Sequence, residues 1–469
     1  MILTEAHCTM KVQTVPGPID RFLTRTLSGT VFTWQEIWNL LLPGVMDSMS
    51  IMFINMLITA LISKNGETSV AAVSLVGPVT ALIVNVFNGI SAGGTVVVAQ
   101  CCGRQNPIEK KKAMSITLWS TIVIGLIVCL PMLLFPGFVI QLLYPGAESA
   151  VSEKARIYLW GCAWSILLFT VYTAIFAILR GLGESKRCLA LSIIINVAYF
   201  VFSIIFLNFL KMDIQGSVFA LILARLLGTC SAVFLLFFWK PPERLGVRDL
   251  FSFDGTLLRS VLKVGIPLSV EQVFIALGGV VAGMYMTLLG TASIATNAIT
   301  NSLIGLLYSP AMSIGSLTVT VVGRCIGANK MDEAAMYSKR CRQIALLLLV
   351  VTCAVFYPCL PLLLKQYNPS EESARMASML LYCSIPALLL FWPASYITPN
   401  ALRAANDTIF PSVLSLSVLW LITICLGYVL AIHVGFGLWG VWIATWSSWF
   451  VRAVGFGLRS KTRKWNYGT

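Results

Sequence analysis

Long apolar runs, each broken by a short polar or basic stretch, recur along the whole chain. About twelve can be counted, near residues 36–63, 70–99, 114–144, 156–180, 187–210, 215–239, 258–289, 293–323, 338–365, 375–402, 409–433 and 436–458. Each holds close to the ~20 apolar residues a helix needs to cross a bilayer. Backbone groups facing lipid must be satisfied within their own segment, so the runs predict helices and not open strands. The expected fold is an all-α polytopic membrane protein with twelve transmembrane helices.

The pattern also repeats. LPGVMD (42–47) is echoed by IPLSVE (266–271), and NGETSVAAVSL (65–75) by LGTASIATNAI (289–299). Pro43 and Pro267 are 224 positions apart, as are Gly66 and Gly290. The same shift carries VVVAQCCGRQNPIE onto TVVGRCIGANKMDE, matching Cys101 with Cys325, Gly103 with Gly327 and Glu109 with Glu333. AILRGLGES near 180 matches NALRAANDT near 403 with one residue of slippage. A six-span duplication keeps orientation, so the repeats are parallel and form two pseudo-symmetric six-helix bundles around a central cavity, where such folds place substrate. The predicted organisation is an N-terminal segment 1–35, a first bundle 36–239, a linker 240–257, a second bundle 258–458 and a basic tail 459–469.

Composition sharpens this picture. Of 469 residues, 58% are hydrophobic and only 11% charged, which excludes a soluble scaffold or nucleic-acid-binding protein. The net charge of +14 is therefore a matter of loops. Alternate loops hold Arg104, Lys110 to Lys112, Lys186, Arg187, Lys240, Arg244, Arg248, Lys330, Lys339 and Arg340, with a basic tail after Arg459. By the positive-inside rule these face the cytoplasm, and so do both termini, in a multi-pass protein of the cell membrane. The first 33 residues are polar and mixed, which predicts insertion from the first span and no cleaved leader. Thirteen scattered cysteines, without a CxxC pair, and two distant histidines predict neither a metal site nor a disulfide framework.

Two acids stand out. Asp47 and Glu271 each follow their proline by four residues, about ten residues or roughly 15 Å inside their spans. A charge there costs on the order of 3 kcal/mol, and such residues commonly load a cation or proton. The bland alternative is a carboxylate hydrogen-bonded to Ser, Thr or backbone groups at a proline-loosened turn. Arg225 is read as the one basic residue well inside a span, either pairing with Asp47 or capping helix carbonyls. Asn55, Asn85, Asn196, Gln272, Asn297 and Asn301 are, with Arg225, candidates for a cavity lining, or else hydrogen-bond between helices.

Through INMLITALISKNGETSVAAVSL, ILRGLGESK, GIPLSVEQVFIALGG, LGTASIATNAI and VVGRCIGANKMDEA, the chain resembles the multidrug and toxic compound extrusion family of secondary transporters, over nearly everything after residue 35. The resemblance implies two six-helix bundles enclosing a V-shaped cavity that opens alternately to each side. It implies export of cationic or amphiphilic organic compounds in exchange for Na⁺ or H⁺, with no other cofactor, by a monomer in contact with membrane lipid. Two departures bear on the coupling site. Ile58 stands where many members carry a first-helix acid, and Asn196 is followed by VAYFVF without one. Coupling would then rest on Asp47 in place of the missing acid, or on Glu271 alone.

Two other readings compete with this one. Lipid-linked precursor flippases share the architecture but have about fourteen spans and a cavity rich in Arg and Lys, which twelve spans and a nearly solitary Arg225 disfavour. A membrane enzyme would need chemistry the chain lacks: there is no HExxH, nucleophile elbow or His/Cys cluster, so no enzymatic activity is expected.

Overall fold

The computed structural model describes residues 28–62, 67–143, 149–210, 212, 214–238, 245–246, 248–367 and 370–462. The N-terminal segment before residue 28, the tail after 462 and part of the predicted linker lie outside the described residues, as does the side chain of Asn55.

Twelve long helices follow one another. In the first half they are α1 (Trp34–Ile62), α2 (Glu67–Gly103), α3 (Pro107–Leu134), α4 (Ser149–Gly181), α5 (Ser185–Ser203, extended by a π-helical turn to Phe209) and α6 (Ile214–Phe237). In the second they are α7 (Gly255–Met286), α8 (Thr291–Gly327), α9 (Met331–Gln366), α10 (Glu371–Tyr396), α11 (Ile409–Val418, continued by π-helical turns to His433) and α12 (Leu438–Lys461). Among the described residues, eleven of these are long and apolar enough to cross a membrane. The twelfth, α12, is less apolar: Trp439, Trp442, Trp446 and Trp449 share it with Arg452. Large apolar side chains such as Ile127, Leu347 and Leu421 remain exposed on the outer faces, as a lipid environment requires.

The duplication is visible in the backbone. α2 and α8 both end on a left-handed residue, Gln105 (φ 57°) and Asn329 (φ 59°), positions that are 224 apart. A left-handed residue after the last turn is a common way to satisfy orphan carbonyls. The turns after Arg180 and Arg403 use the same device, with Gly183 (φ 70°) and Asn406 (φ 63°). α3 then starts from Asn106, whose side chain accepts from Ile108 N at 3.0 Å, with Pro107 filling a first-turn position that needs no donor.

The halves meet along a seam made by α2 against α7 and α8, with α1 also on α8. Small residues permit the approach. A β-carbon on Gly89 would collide with the Ser269 backbone, and one on Gly93 with the carbonyl of Val261 and the backbone of Gly265. At the basic end the contact is reciprocal: a β-carbon on Gly103 would fall on the Arg324 carbonyl, and one on its twin Gly327 on the Gln100 carbonyl. Residues 30–32, ahead of α1, also cross to the second half. Glu333 accepts from the backbone N–H groups of Thr30 (3.0 Å) and Val31 (3.1 Å), and Tyr337 donates to the Phe32 carbonyl at 3.0 Å. Linker residues are tied to α3 through Lys111–Asp249 (2.8 Å) and Lys112–Asp254 (3.4 Å). The Lys111 ammonium and the Gly246 N–H hold the Asp249 carboxyl below its ordinary value.

Candidate functional site

Two turns at the basic end carry arginines inward. Arg180 lies in the last turn of α4, and Arg403 in the last turn of a short helix, Thr398–Ala404. Each turn is gripped by the opposite half. Gln100 Nε2 donates to the carbonyl of Ala404 at 2.7 Å and to Asn406 Oδ1 at 3.3 Å. Arg324, which lies 224 positions after Gln100, donates to the carbonyl of Leu182, and Thr320 Oγ1 to that of Arg180 at 2.9 Å. The backbone that presents both arginines is therefore fixed by inter-half hydrogen bonds.

The two acids meet these arginines. Glu271, 5% exposed, accepts from Arg403 at 2.6 Å and from Ser412 Oγ at 2.8 Å through the same oxygen. Asp47, 6% exposed, has Oδ2 3.9 Å from an Arg180 nitrogen and the Ser192 hydroxyl beside its carboxylate, while among the described residues its buried Oδ1 has no hydrogen-bond partner. The duplication thus produced two acid–arginine pairs, one tight and one loose.

Both pairs face one chamber of about 950 Å³ between the halves. Asn196, Gln272 and Arg225 line it, as do two amides the sequence did not single out, Asn88 and Asn400. Asn85, Asn297 and Asn301 lie off its wall. Arg225 does not pair with Asp47. It donates to Ser165 Oγ at 2.8 Å and its guanidinium sits 4.5 Å from the centre of the Phe169 ring, so it caps neither a carboxylate nor a helix end. Nor is it the only arginine inside. Arg452, 8% exposed within α12, donates to the Ser415 carbonyl at 3.2 Å and lies 6.0 Å from the Tyr396 ring centre.

The expectation of a nearly solitary arginine is therefore corrected: four line the chamber, against two carboxylates. Arg452 was legible as a basic residue inside the last apolar run. Arg180 and Arg403 stand at the ends of their runs and read as loop charges, yet their turns fold back under the cavity. The matching Arg in AILRG and NALRA was the available signal. Among the described residues no three His, Cys, Asp or Glu side chains converge as a metal site. Each carboxylate instead works with one arginine.

A family model described as MatE matches residues 43–209 and 267–429, one block in each half. The uncharacterized transporter YisQ of Bacillus subtilis is 25% identical over 439 residues, covering 92% of this chain and 94% of that protein. The probable multidrug resistance protein YoeA of the same organism is 23% identical, with 86% and 90% covered. A crystal structure of MATE in complex with MaL6 superposes with a TM-score of 0.85 at 19% identity, covering 92% of this chain and 96% of that one.

Proposed function

Because this chain belongs to the MatE family, the multidrug and toxic compound extrusion transporters, we propose that it exports amphiphilic organic compounds by alternating access, in exchange for H⁺ or Na⁺. The chain is a multi-pass membrane protein of a multidrug efflux family. The coupling reading rests on one observation: duplicated acid–arginine pairs, each with a buried carboxylate, Asp47 with Arg180 and Glu271 with Arg403, facing a single chamber between the halves. A buried carboxylate with an arginine partner has two low-energy arrangements, paired to the arginine or released to hold a cation or proton. Both arginines sit on turns gripped across the seam, so switching a pair pulls on the contact that joins the halves at the basic end.

The paired Glu271, with two donors on one oxygen, is assigned the main coupling role, and the loosely held Asp47 the role left vacant at Ile58. The basic end is assigned to the cytoplasm on loop charge. The flippase alternative loses one objection, the scarcity of arginine, but the twelve helices still count against it. The test is uptake of fluorescent solutes into inverted vesicles under a Na⁺ or a pH gradient imposed separately. Glu271→Gln should abolish gradient-driven uptake while the protein stays folded in the membrane. Undiminished transport by that variant would remove Glu271 from the mechanism.

A further inference from the structure

We propose that the cargo of this chamber is an amphiphilic organic anion, recognised through a carboxylate, sulfonate or phosphate group. The proposal rests on the transporter reading above and specifies its substrate class. It departs from the cationic cargo that the family resemblance suggested, and three observations carry it.

Charge is the first. Among the described residues, Arg180, Arg225, Arg403 and Arg452 line the chamber against Asp47 and Glu271 alone, so its fixed side-chain charge is +2. Both carboxylates already have an arginine facing them, at 3.9 and 2.6 Å. A cationic ligand entering here meets a net repulsion, whereas an anion meets attraction in a low-dielectric cleft that focuses the field.

The second is the state of the two remaining arginines. Among the described residues neither Arg225 nor Arg452 makes an ion pair: one is held by a hydroxyl and the other by a carbonyl. The Nε atoms of Arg452 and Arg403 are buried without an acceptor. Buried guanidinium groups are ordinarily matched by an anion, and their planar fork fits carboxylate and phosphate oxygens.

The third concerns the aromatic walls. Organic cations bind aromatic cavities through the ring faces. Here three of the lining rings already carry the protein's own cations: Arg180 lies 4.7 Å from the Phe176 ring centre, Arg225 4.5 Å from that of Phe169, and Arg452 6.0 Å from that of Tyr396. A ligand meets apolar surface and the rings of Tyr172, Tyr199 and Trp449 for its body, and guanidinium edges for its acidic head. The chamber volume of about 950 Å³ is ample for a drug-sized molecule. An anion leaving the cell and a cation entering it both move positive charge inward, so an inside-negative potential drives both legs of the exchange.

The experiment uses the full-length protein in inverted vesicles energised by a pH or Na⁺ gradient, with three probes: fluorescein as a soluble organic anion, ethidium as an organic cation, and phosphatidylglycerol carrying a fluorescent acyl chain. The expected result is gradient-dependent fluorescein uptake with little ethidium uptake. Arg225→Gln and Arg452→Gln should each weaken the apparent affinity for fluorescein by roughly tenfold to a hundredfold, as expected for losing a charge-assisted hydrogen bond. Arg225→Lys, which keeps the charge, should recover part of that loss, separating recognition from misfolding. Movement of labelled phosphatidylglycerol without fluorescein would keep the anionic chemistry and give its source as a lipid headgroup. Ethidium uptake without either anion would overturn the proposal while leaving the exporter reading intact. Folded protein that moves none of the three under either gradient would count against the exporter itself.

Discussion

The two acid–arginine pairs occupy equivalent places in duplicated halves, yet their geometry predicts unequal energetics, and a pair of double-mutant cycles measures the difference. The side chains of Glu271 and Arg403 are 6% and 11% exposed and touch at 2.6 Å. Removing one partner of a buried pair costs about 3–5 kcal/mol, because the other charge stays desolvated. Arg403 borders a cavity open to water, which relieves part of that penalty, so a coupling energy of about 2–3 kcal/mol is expected. Asp47 and Arg180 are 3.9 Å apart, and Arg180 is 37% exposed. That geometry approaches a surface ion pair, for which coupling is about 0–1 kcal/mol. The perturbations are Glu271→Gln, Arg403→Gln and the double variant, against Asp47→Asn, Arg180→Gln and theirs. Reversible unfolding of the purified protein in detergent, followed by tryptophan fluorescence, reports the stability of each. Equal coupling in the two cycles, or a larger one for Asp47 and Arg180, would refute the claim that the second half holds the tight pair.

Further outcomes follow from the seam and the linker. Gly327→Ala places a β-carbon on the Gln100 carbonyl; overpacking of this kind costs about 1–3 kcal/mol. It should pry the halves apart at the basic end, seen as faster labelling of a cysteine introduced there. Glu333→Ala removes the acceptor for the Thr30 and Val31 N–H groups, and limited proteolysis should then cut more readily around residues 28–33. Because Asp249 is held below its ordinary value by Lys111 and Gly246, the stability its ionised form contributes is complete above the usual carboxylate range and is lost as pH falls through its lowered value. Hydrogen exchange of residues 248–254 should therefore stay slow at neutral pH and rise under strong acid, and Lys111→Met should move that onset to higher pH.

What the sequence determined by itself was whatever depends on local composition and on comparing one stretch with another. Runs of about twenty apolar residues dictate spanning helices because lipid offers the backbone no partner. The constant shift of 224 residues exposes the duplication and makes Asp47 and Glu271 twins. The partners of those twins were decided only by tertiary structure. Arg180 and Arg403 end their helices and count as loop charges on a hydropathy profile, but inter-half hydrogen bonds from Gln100, Thr320 and Arg324 turn both loops under the chamber. Asn297 and Asn301 are as eligible for the lining by sequence as Asn88 and Asn400, and the placement of their helices separates them. The sign of the chamber was hidden for the same reason. It is a sum over side chains from both halves, and one-dimensional order does not fix which of them converge.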